Sequence, residues 1–388
     1  MDAALKERYL AKVKPTADAL EAAAKANMDA SSTKLFSEAG PLHNGKPLMA
    51  IKDIEHRVRV TIQHEDATKK KEKKVLGISW GTGASDLEVP RLGVVGQSGA
   101  CFVYNTLTKK KMYGVAGPDS KFAQCMAIAP SSDSPLVLVG TMRNATTLFR
   151  KNPESAIMQK SKQWIKHDGY ISSLHFLSDS TYISASGDAE IRVFDMNADP
   201  SGNSLQRLIG HEKDAQCIKF PRDVASKDTF ITCSTDKTVK LWDLRVGACA
   251  QTFKTSTELN SCCIFPDGNI LACGGMKDKT YVFDVRACRK VGDYARNNQE
   301  TSSCEFSRSG RELYVGHADG SIIVWDIFAD GANKNYAKKI EAHTQYDEAR
   351  KISPETSRVN CLEVGPRGYL ASGGFDGAVK IWGSPKPM

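Results

Sequence analysis

The chain has 388 residues, of which 41% are hydrophobic and 25% are charged, and its formal net charge at pH 7 is +8. This length and composition allow a large core without help from disulfides, which excludes disordered and small disulfide-stapled proteins. No run in the sequence approaches the roughly 20 apolar residues that span a membrane. The first ten residues, MDAALKERYL, are charged and carry no apolar signal core, which predicts a protein that is cytosolic or is held at a membrane by something else.

Residues 1–35 are predicted to be helical, because residues 2–30 are rich in Ala, Leu, Lys and Glu. Pro15 interrupts the segment, and Thr16 can cap a second helix that starts there. An isolated helix of about 15 residues is marginal in water, so its apolar stripe needs a partner, and a frayed tail is the alternative. The candidate partner-binding residues are Leu5, Val13, Leu20, Ala24 and Met28. Residues 36–56 are predicted to be a linker.

Residues 57–63, RVRVTIQ, alternate polar and apolar side chains as an isolated strand does. They precede the first complete copy of a repeat that fills most of the remaining chain. We predict that they form the outer strand of the last repeat, which would join the two ends of the chain.

The repeat begins with a His and an apolar strand and ends with Asp, five residues and an aromatic residue. One copy runs from His211 to the string DKTVKLWD at Asp236. Its spacing is close to the roughly 40 to 45 residues of a four-stranded blade. The closing aromatics are Tyr104, Phe149, Phe194, Trp242, Phe283, Trp325 and Trp382. Because one blade cannot bury both faces, blades stack into a ring, so we predict an all-β, seven-bladed WD-repeat β-propeller over residues 57–388, preceded by an N-terminal α-helical segment.

Two copies of the repeat carry a complete set of His, Asp and Trp. The Asp is expected to orient the His, and the Trp indole N–H needs an acceptor inside the blade, since buried polar groups require partners. We predict that these residues are structural. The two sets are His211, Asp236 and Trp242, and His343, Asp376 and Trp382.

The eleven cysteines do not indicate a disulfide or metal framework. Several occupy one core position of the repeat as small hydrophobic residues, as Cys217 and Cys262 do. No CxxC spacing occurs, so the sequence predicts reduced thiols and no zinc.

Basic residues concentrate in residues 69–74 and 109–111. These clusters attract phosphates or anionic lipid, or they are solvated loops, which is the simpler interpretation. Aromatic residues are not interleaved with them as on a nucleic-acid surface. Nucleotide-binding, hydrolase and metalloprotease motifs are missing from the sequence, which predicts a protein that is not an enzyme and uses no cofactor.

Several strings closely resemble the beta subunit of heterotrimeric G proteins, and the resemblance covers nearly the whole chain. They include WGTG at Trp80, DGYISSLHFL at Asp168, LWDLRVGACAQTF at Leu241, FPDGNILACGG at Phe265, FSRSGRELYVGHADG at Phe306 and GYLASGGFDGAVKIW at Gly368.

The resemblance implies a protein without chemistry of its own. In that family the N-terminal helix forms a parallel coiled coil with a gamma subunit, and one propeller face binds the GDP-bound alpha subunit. After nucleotide exchange the same face engages effectors in receptor-coupled signal transduction. The resemblance therefore implies gamma, alpha, effector and receptor partners, and attachment to the inner face of the plasma membrane only through lipidated partners.

Local matching to the family gives sixteen candidate residues for the alpha-subunit and effector surface. They combine aromatic and flexible apolar anchors with charges that steer encounter, as interface hot spots do. They are Lys74, Leu76, Phe102, Lys111, Phe122, Gln124, Met142, Asn144, Tyr170, Asp214, Gln216, Glu258, Asn260, Met276, Arg358 and Phe375.

Some positions depart from the family pattern, which implies an altered alpha contact. Phe122 and Phe375 stand where the family usually has Trp, Gln216 where it has Met, and Met276 where it has Asp. Residues 65–74, 83–93 and 344–357 are longer than the family pattern, and we predict that these insertions lie between strands.

A WD-repeat scaffold of another class, such as a ribosome-associated or kinase-anchoring adaptor, is the main alternative. Such propellers generally begin with their first blade, so the helical segment favours the G-protein interpretation. A helix that docks on its own propeller would remove that argument.

Overall fold

The computed structural model describes residues 60–61, 74–81, 90–97, 99, 101–108, 110–115, 122–129, 136–151, 157–224, 226–277, 279–295, 299–328, 336–343, 358–365 and 368–383. These residues form 28 strands that pair in antiparallel groups of four. The predicted helix over residues 1–35 and the linker 36–56 lie outside the described residues.

The first three groups follow one another along the chain. Group 1 contains β2 (Val75–Trp80), β3 (Arg91–Gly96), β4 (Cys101–Asn105) and β5 (Lys110–Val115). Group 2 contains β6 (Ala123–Ile128), β7 (Leu136–Thr141), β8 (Ala145–Arg150) and β9 (Ile157–Ile165). Group 3 contains β10 (Ile171–Phe176), β11 (Thr181–Ser186), β12 (Ile191–Asp195) and β13 (Gln206–Leu208).

The next three groups repeat the same order. Group 4 contains β14 (Ala215–Lys219), β15 (Thr229–Ser234), β16 (Thr238–Asp243) and β17 (Ala248–Lys254). Group 5 contains β18 (Leu259–Ile264), β19 (Ile270–Gly275), β20 (Thr280–Asp284) and β21 (Arg289–Tyr294). Group 6 contains β22 (Thr301–Phe306), β23 (Glu312–His317), β24 (Ser321–Asp326) and β25 (Tyr336–Glu341).

Group 7 combines three strands from residues 359–382 with one strand from residues 60–61. It contains β26 (Val359–Val364), β27 (Leu370–Gly374), β28 (Ala378–Trp382) and, as its outer strand, β1 (Val60–Thr61). Val60 pairs with Val379 and Thr61 with Ala378 in antiparallel register.

The first strands of the groups contact one another in a closed series from β2 through β6, β10, β14, β18, β22 and β26 back to β2. These strands mix apolar residues with small and polar ones, as in ISSLHF of β10 and TSSCEF of β22. The core fills the spaces between groups, as where Trp164 of group 2 packs edge-on against Tyr182 of group 3. A further parallel pairing of β5 with β9 joins the outer strands of groups 1 and 2.

Residues 83–93 do not lie entirely between strands, so that prediction was wrong for its last three residues. Arg91, Leu92 and Gly93 begin β3 and are buried. Leu92 packs with Val94 in the core shared by groups 1 and 7, and this burial outweighs the loop-like composition that precedes it.

Candidate functional site

One backbone hydrogen bond recurs at the same edge of every group. The residue after the second strand donates its N–H to the carbonyl of the residue before the first strand, as from Met142 to Phe122 (2.7 Å) and from Phe375 to Arg358 (2.9 Å). The acceptor residues are Lys74, Phe122, Tyr170, Asp214, Glu258, Glu300 and Arg358, and the donor residues are Gln97, Met142, Gly187, Thr235, Met276, Ala318 and Phe375. We call these fourteen residues the rim. Nine of the sixteen candidate residues are rim residues, so they occupy equivalent positions in their groups.

Four further candidates lie directly inside the rim. The pairing of each first strand with its second strand is interrupted at one residue by a register shift of the β-bulge type. A bulge aims a side chain away from the regular pleat. The residues at the shift are Leu76, Gln124, Ser172, Gln216, Asn260, Ser302 and Asn360, of which Leu76, Gln124, Gln216 and Asn260 are candidates. Asn360 shows their direction, since its Nδ2 donates to the carbonyl of Leu76 in the next group (2.7 Å).

Three candidate residues form a hydrogen-bonded set between groups 3 and 4. The Tyr170 hydroxyl donates to Asp214 Oδ2 (3.0 Å) and accepts from Gln216 Nε2 (2.8 Å). Burial is the main cause that raises the pKa of Tyr170, and the acceptor Asp214 adds to it, whereas the donor Gln216 opposes it. The hydroxyl therefore stays protonated and holds the Asp214 carboxylate in place.

Apolar side chains are exposed on the rim of groups 2 and 5. Met142 is 51% exposed, Met276 is 55% exposed and Phe122 is 38% exposed. The Arg143 guanidinium lies 4.0 Å from the centre of the Phe122 ring. Exposed flexible and aromatic side chains beside a cation are the kind of surface that a protein partner covers.

Two lysines of group 1 lie over aromatic rings. Lys74 Nζ lies 4.8 Å from the centre of the Phe375 ring, which links groups 1 and 7. Lys111 Nζ lies 3.7 Å from the centre of the Phe102 ring, within group 1. The repeated rim hydrogen bond does not include Phe102 or Lys111, which lie on β4 and β5.

Acidic residues on the rim are paired with neighbouring side chains. Glu258 Oε1 lies 3.5 Å from Lys213 Nζ. Glu300 Oε1 accepts hydrogen bonds from Asn260 Nδ2 (2.8 Å) and Arg358 Nη2 (2.7 Å). Glu300 is not among the sixteen candidate residues, although it stands directly before the first strand of group 6, where the other groups carry a candidate.

Asn144, the remaining candidate, lies in the turn between β7 and β8. Its φ of 61° is in the left-handed region, which Asn tolerates better than most residues. This backbone requirement accounts for the residue type in the turn beside the rim, and a contact of Asn144 with a partner stays a prediction.

The predicted structural sets are brought together inside groups 4 and 7. His211 Nδ1 lies 2.7 Å from Asp236 Oδ2, and Thr232 Oγ1 contacts both His211 Nε2 (2.7 Å) and Trp242 Nε1 (2.8 Å). His343 and Trp382 meet Ser372 Oγ in the same way, and His343 also contacts Asp376. The bridging hydroxyls were not identified from the sequence.

The carboxylates of these sets are held in the ionised form. Burial alone would raise the pKa of Asp236, but hydrogen bonds from His211 and Thr238 outweigh it and lower the pKa. Burial is likewise outweighed by hydrogen bonds at Asp376, whose pKa is lowered. In group 3, Asp188 pairs with His167, and the same two effects lower the pKa of Asp188 to about 2.

The cysteines of the described ranges are free thiols. Burial raises the pKa of Cys101 to about 12 and that of Cys361 to about 12, so these thiols are protonated and unreactive. Within the part of the chain that the structure describes, no cluster of three or more His, Cys, Asp or Glu residues could hold a metal ion. In the same ranges, no helix has the length and apolar character needed to cross a bilayer. The predicted partner-binding residues Leu5, Val13, Leu20, Ala24 and Met28 lie outside the described residues.

Five segments of the chain match the family model described as WD domain, G-beta repeat. They are residues 158–195, 202–243, 247–284, 293–326 and 348–383. A guanine nucleotide-binding protein subunit beta from Solanum tuberosum is 28% identical over 326 residues, which cover 80% of each chain. One from Zea mays is 27% identical over 74% of this chain and 75% of its own length. One from Oryza sativa subsp. japonica is also 27% identical over 74% of this chain and 75% of its own length.

Proposed function

We propose that this all-β WD-repeat propeller acts as the non-catalytic beta subunit of a heterotrimeric G protein. In this proposal the groups close as a seven-bladed ring, with strand 57–63 as the latch of the last blade and residues 1–35 as the helix that pairs with gamma. The pairing of β1 with β28 and the contact of β2 with β26 support the closed ring.

The rim is the observation that carries the proposal. A partner that sits across it would meet the apolar anchors Met142 and Met276 together with Tyr170, Lys74 and Arg358. A single surface of this kind admits one large partner at a time. The GDP-bound alpha subunit and, after its release, effectors would therefore bind in turn, in receptor-coupled signal transduction.

The names of the relatives supply the class of partner. Proteins named as G-protein beta subunits match most of this chain at 27–28% identity. Because the proposed partners carry lipids, we place the complex at the inner face of the plasma membrane.

Affinity capture from native lysate, with the full chain as bait and GDP present, tests this function. We expect a small helical chain and a GTP-binding chain to co-purify, and a non-hydrolysable GTP analogue to release the second. Capture of ribosomal or kinase partners without either would instead favour a scaffold of another class.

A further inference from the structure

Glu300 occupies the same repeat position as six of the candidate residues. It precedes the first strand of group 6, and its carbonyl accepts the rim hydrogen bond from Ala318 (3.1 Å). The repeat itself does not require an acidic residue at this place, since the other groups carry Lys, Phe, Tyr, Asp, Glu and Arg there.

The side chain of Glu300 joins three successive groups through one oxygen. Oε1 accepts from Asn260 of group 5 at 2.8 Å and from Arg358 of group 7 at 2.7 Å. The bond to Arg358 is charge-assisted, and both ionised side chains are about one-quarter exposed, at 25% and 24%. Asn260 also approaches the carbonyl of Thr301, at 3.5 Å.

This arrangement matters because Arg358 and Asn260 are flexible polar side chains on the surface that we assign to the partner. An arginine that must be ordered when the partner arrives loses rotamer freedom at that moment, which weakens binding. A carboxylate that already fixes both side chains removes this entropy loss. We propose that Glu300 is a positioning residue, which preorganises Arg358 and Asn260 for the partner that binds the rim.

The proposal rests on the proposed function only for the identity of the partner. The probe is a purified GDP-bound G-protein alpha subunit, titrated into the full chain in complex with gamma. Glu300→Ala removes the acceptor, and we expect Kd to rise about five- to tenfold, the loss that corresponds to reordering a few side chains. Glu300→Gln keeps an amide oxygen that accepts both hydrogen bonds, and we expect its Kd to stay within about twofold of wild type. Glu341→Ala, on the outer strand of the same group and exposed, is the matched control and leaves Kd unchanged.

A purely structural or purely electrostatic role gives different results. If Glu300 acts through its two partners, then adding Glu300→Ala to a chain that already carries Asn260→Ala and Arg358→Ala changes Kd less than twofold, because coupled residues are not additive. A further five- to tenfold rise in Kd in the Asn260→Ala/Arg358→Ala chain would overturn the proposal. Equal losses in Glu300→Ala and Glu300→Gln would also overturn it, since they would assign the effect to charge alone.

A crystal structure of the Glu300→Ala complex with gamma tests the same claim without the alpha subunit. We expect the side chains of Arg358 and Asn260 to lose their single conformations or to move. Unchanged conformations of both would refute the positioning role. If the wild-type complex binds no alpha subunit, the proposed function fails, and this structure still decides whether Glu300 positions its neighbours.

Discussion

The hydroxyl of Thr232, a buried residue, both accepts and donates a hydrogen bond. Its hydroxyl contacts the ring of His211 and receives the indole N–H of Trp242, and both of those side chains are fully buried. One oxygen thus satisfies two buried polar groups, one on β16 and one in the connection between β13 and β14. Removing a shared partner leaves both groups without one, which is more costly than the net contribution of either bond.

Replacing this hydroxyl by a methyl group isolates that effect. We expect Thr232→Val to lower the free energy of unfolding by about 2–4 kcal/mol, because two buried donors or acceptors lose their partner while the volume is kept. Urea unfolding measures it. Thr252→Val, on the exposed outer strand of the same group, is the matched control. A loss no larger than that of the control would mean that the network does not stabilise the group.

Glu363, on β26, lies beside charged residues of groups 4 and 6. Lys219 Nζ donates to Glu305 Oε2 at 2.6 Å, and the Arg222 guanidinium pairs with the other oxygen of Glu305. Burial raises the pKa of Glu363 to about 7, opposed by Lys219 and Arg222 and reinforced by Glu305. Glu363 therefore changes its charge near neutral pH, while its ordinary pKa is 4.5.

This raised pKa makes stability depend on pH in a defined direction. Between pH 4.5 and about 7 the folded chain holds a proton that the unfolded chain has lost, so the free energy of unfolding falls as the pH rises through this window. We expect Glu363→Gln to remove this fall. The variant should be more stable than wild type at pH 8.5, by an amount on the order of 2–3 kcal/mol, and nearly equal to it at pH 4.

Thermal unfolding across pH 4 to 8.5 measures the effect, and Glu341→Gln, an exposed glutamate, is the control. A Glu363→Gln profile that runs parallel to the wild-type profile would show that Glu363 keeps an ordinary pKa in the folded chain.

At the scale of single residues, the sequence predicted those side chains that recur at a fixed spacing in the repeat. His211, Asp236 and Trp242 stand at fixed offsets in the repeat. Thr232 and Glu300 do not, because their partners lie on other strands or in other groups. Their roles follow from strand register and from the stacking of groups, which a single sequence does not specify.

The bulge in every first strand is the element that shapes the candidate site. Two residues at these bulges contact a neighbouring group, since Asn260 donates to Glu300 of group 6 and Gln216 donates to Tyr170 of group 3. The sequence predicted the aromatic that lies in each third strand, but it gave no sign of these bulges. A bulge adds one residue to a strand without changing its composition, so hydrophobic periodicity alone does not reveal it.

The pairing of β1 with β28 is the element-scale feature that would close the ring. We expect the double substitution Val60→Pro/Thr61→Pro to remove the N–H donors of β1 and to increase hydrogen exchange of the amides in Ala378–Trp382. Hydrogen exchange with mass spectrometry measures this, and the amides of β16 in group 4 serve as the internal control. Unchanged protection in β28 would show that β1 does not hold the last group.

At the scale of the whole molecule, the proposed seven-bladed ring would collect the rim residues of all groups onto one surface. Exposed apolar side chains lie on groups 2 and 5, and basic residues lie on groups 1 and 7. A partner that covers this surface gains most from the apolar anchors, whereas the charges set encounter and orientation.

Truncating the apolar anchors of group 2 tests whether these side chains supply most of the binding free energy. We expect Phe122→Ala and Met142→Ala each to raise the Kd for a GDP-bound alpha subunit by about tenfold, because both side chains are exposed before binding and would be covered by the partner. Val246→Ala, which shortens a side chain that is 75% exposed in the turn between β16 and β17, is the control. Equal affinities for the control and the rim variants would place the contact on another surface.

In the proposed function, one surface binds an alpha subunit according to the nucleotide that the alpha subunit carries. The most direct measurement is the affinity of the complete chain, in complex with gamma, for a purified alpha subunit loaded with GDP or with a non-hydrolysable GTP analogue. The proposal predicts tight binding in GDP and a loss of at least about 100-fold in the analogue, which corresponds to a difference of about 2.7 kcal/mol in binding free energy. Equal affinity in both nucleotides, or no binding in either, would contradict it.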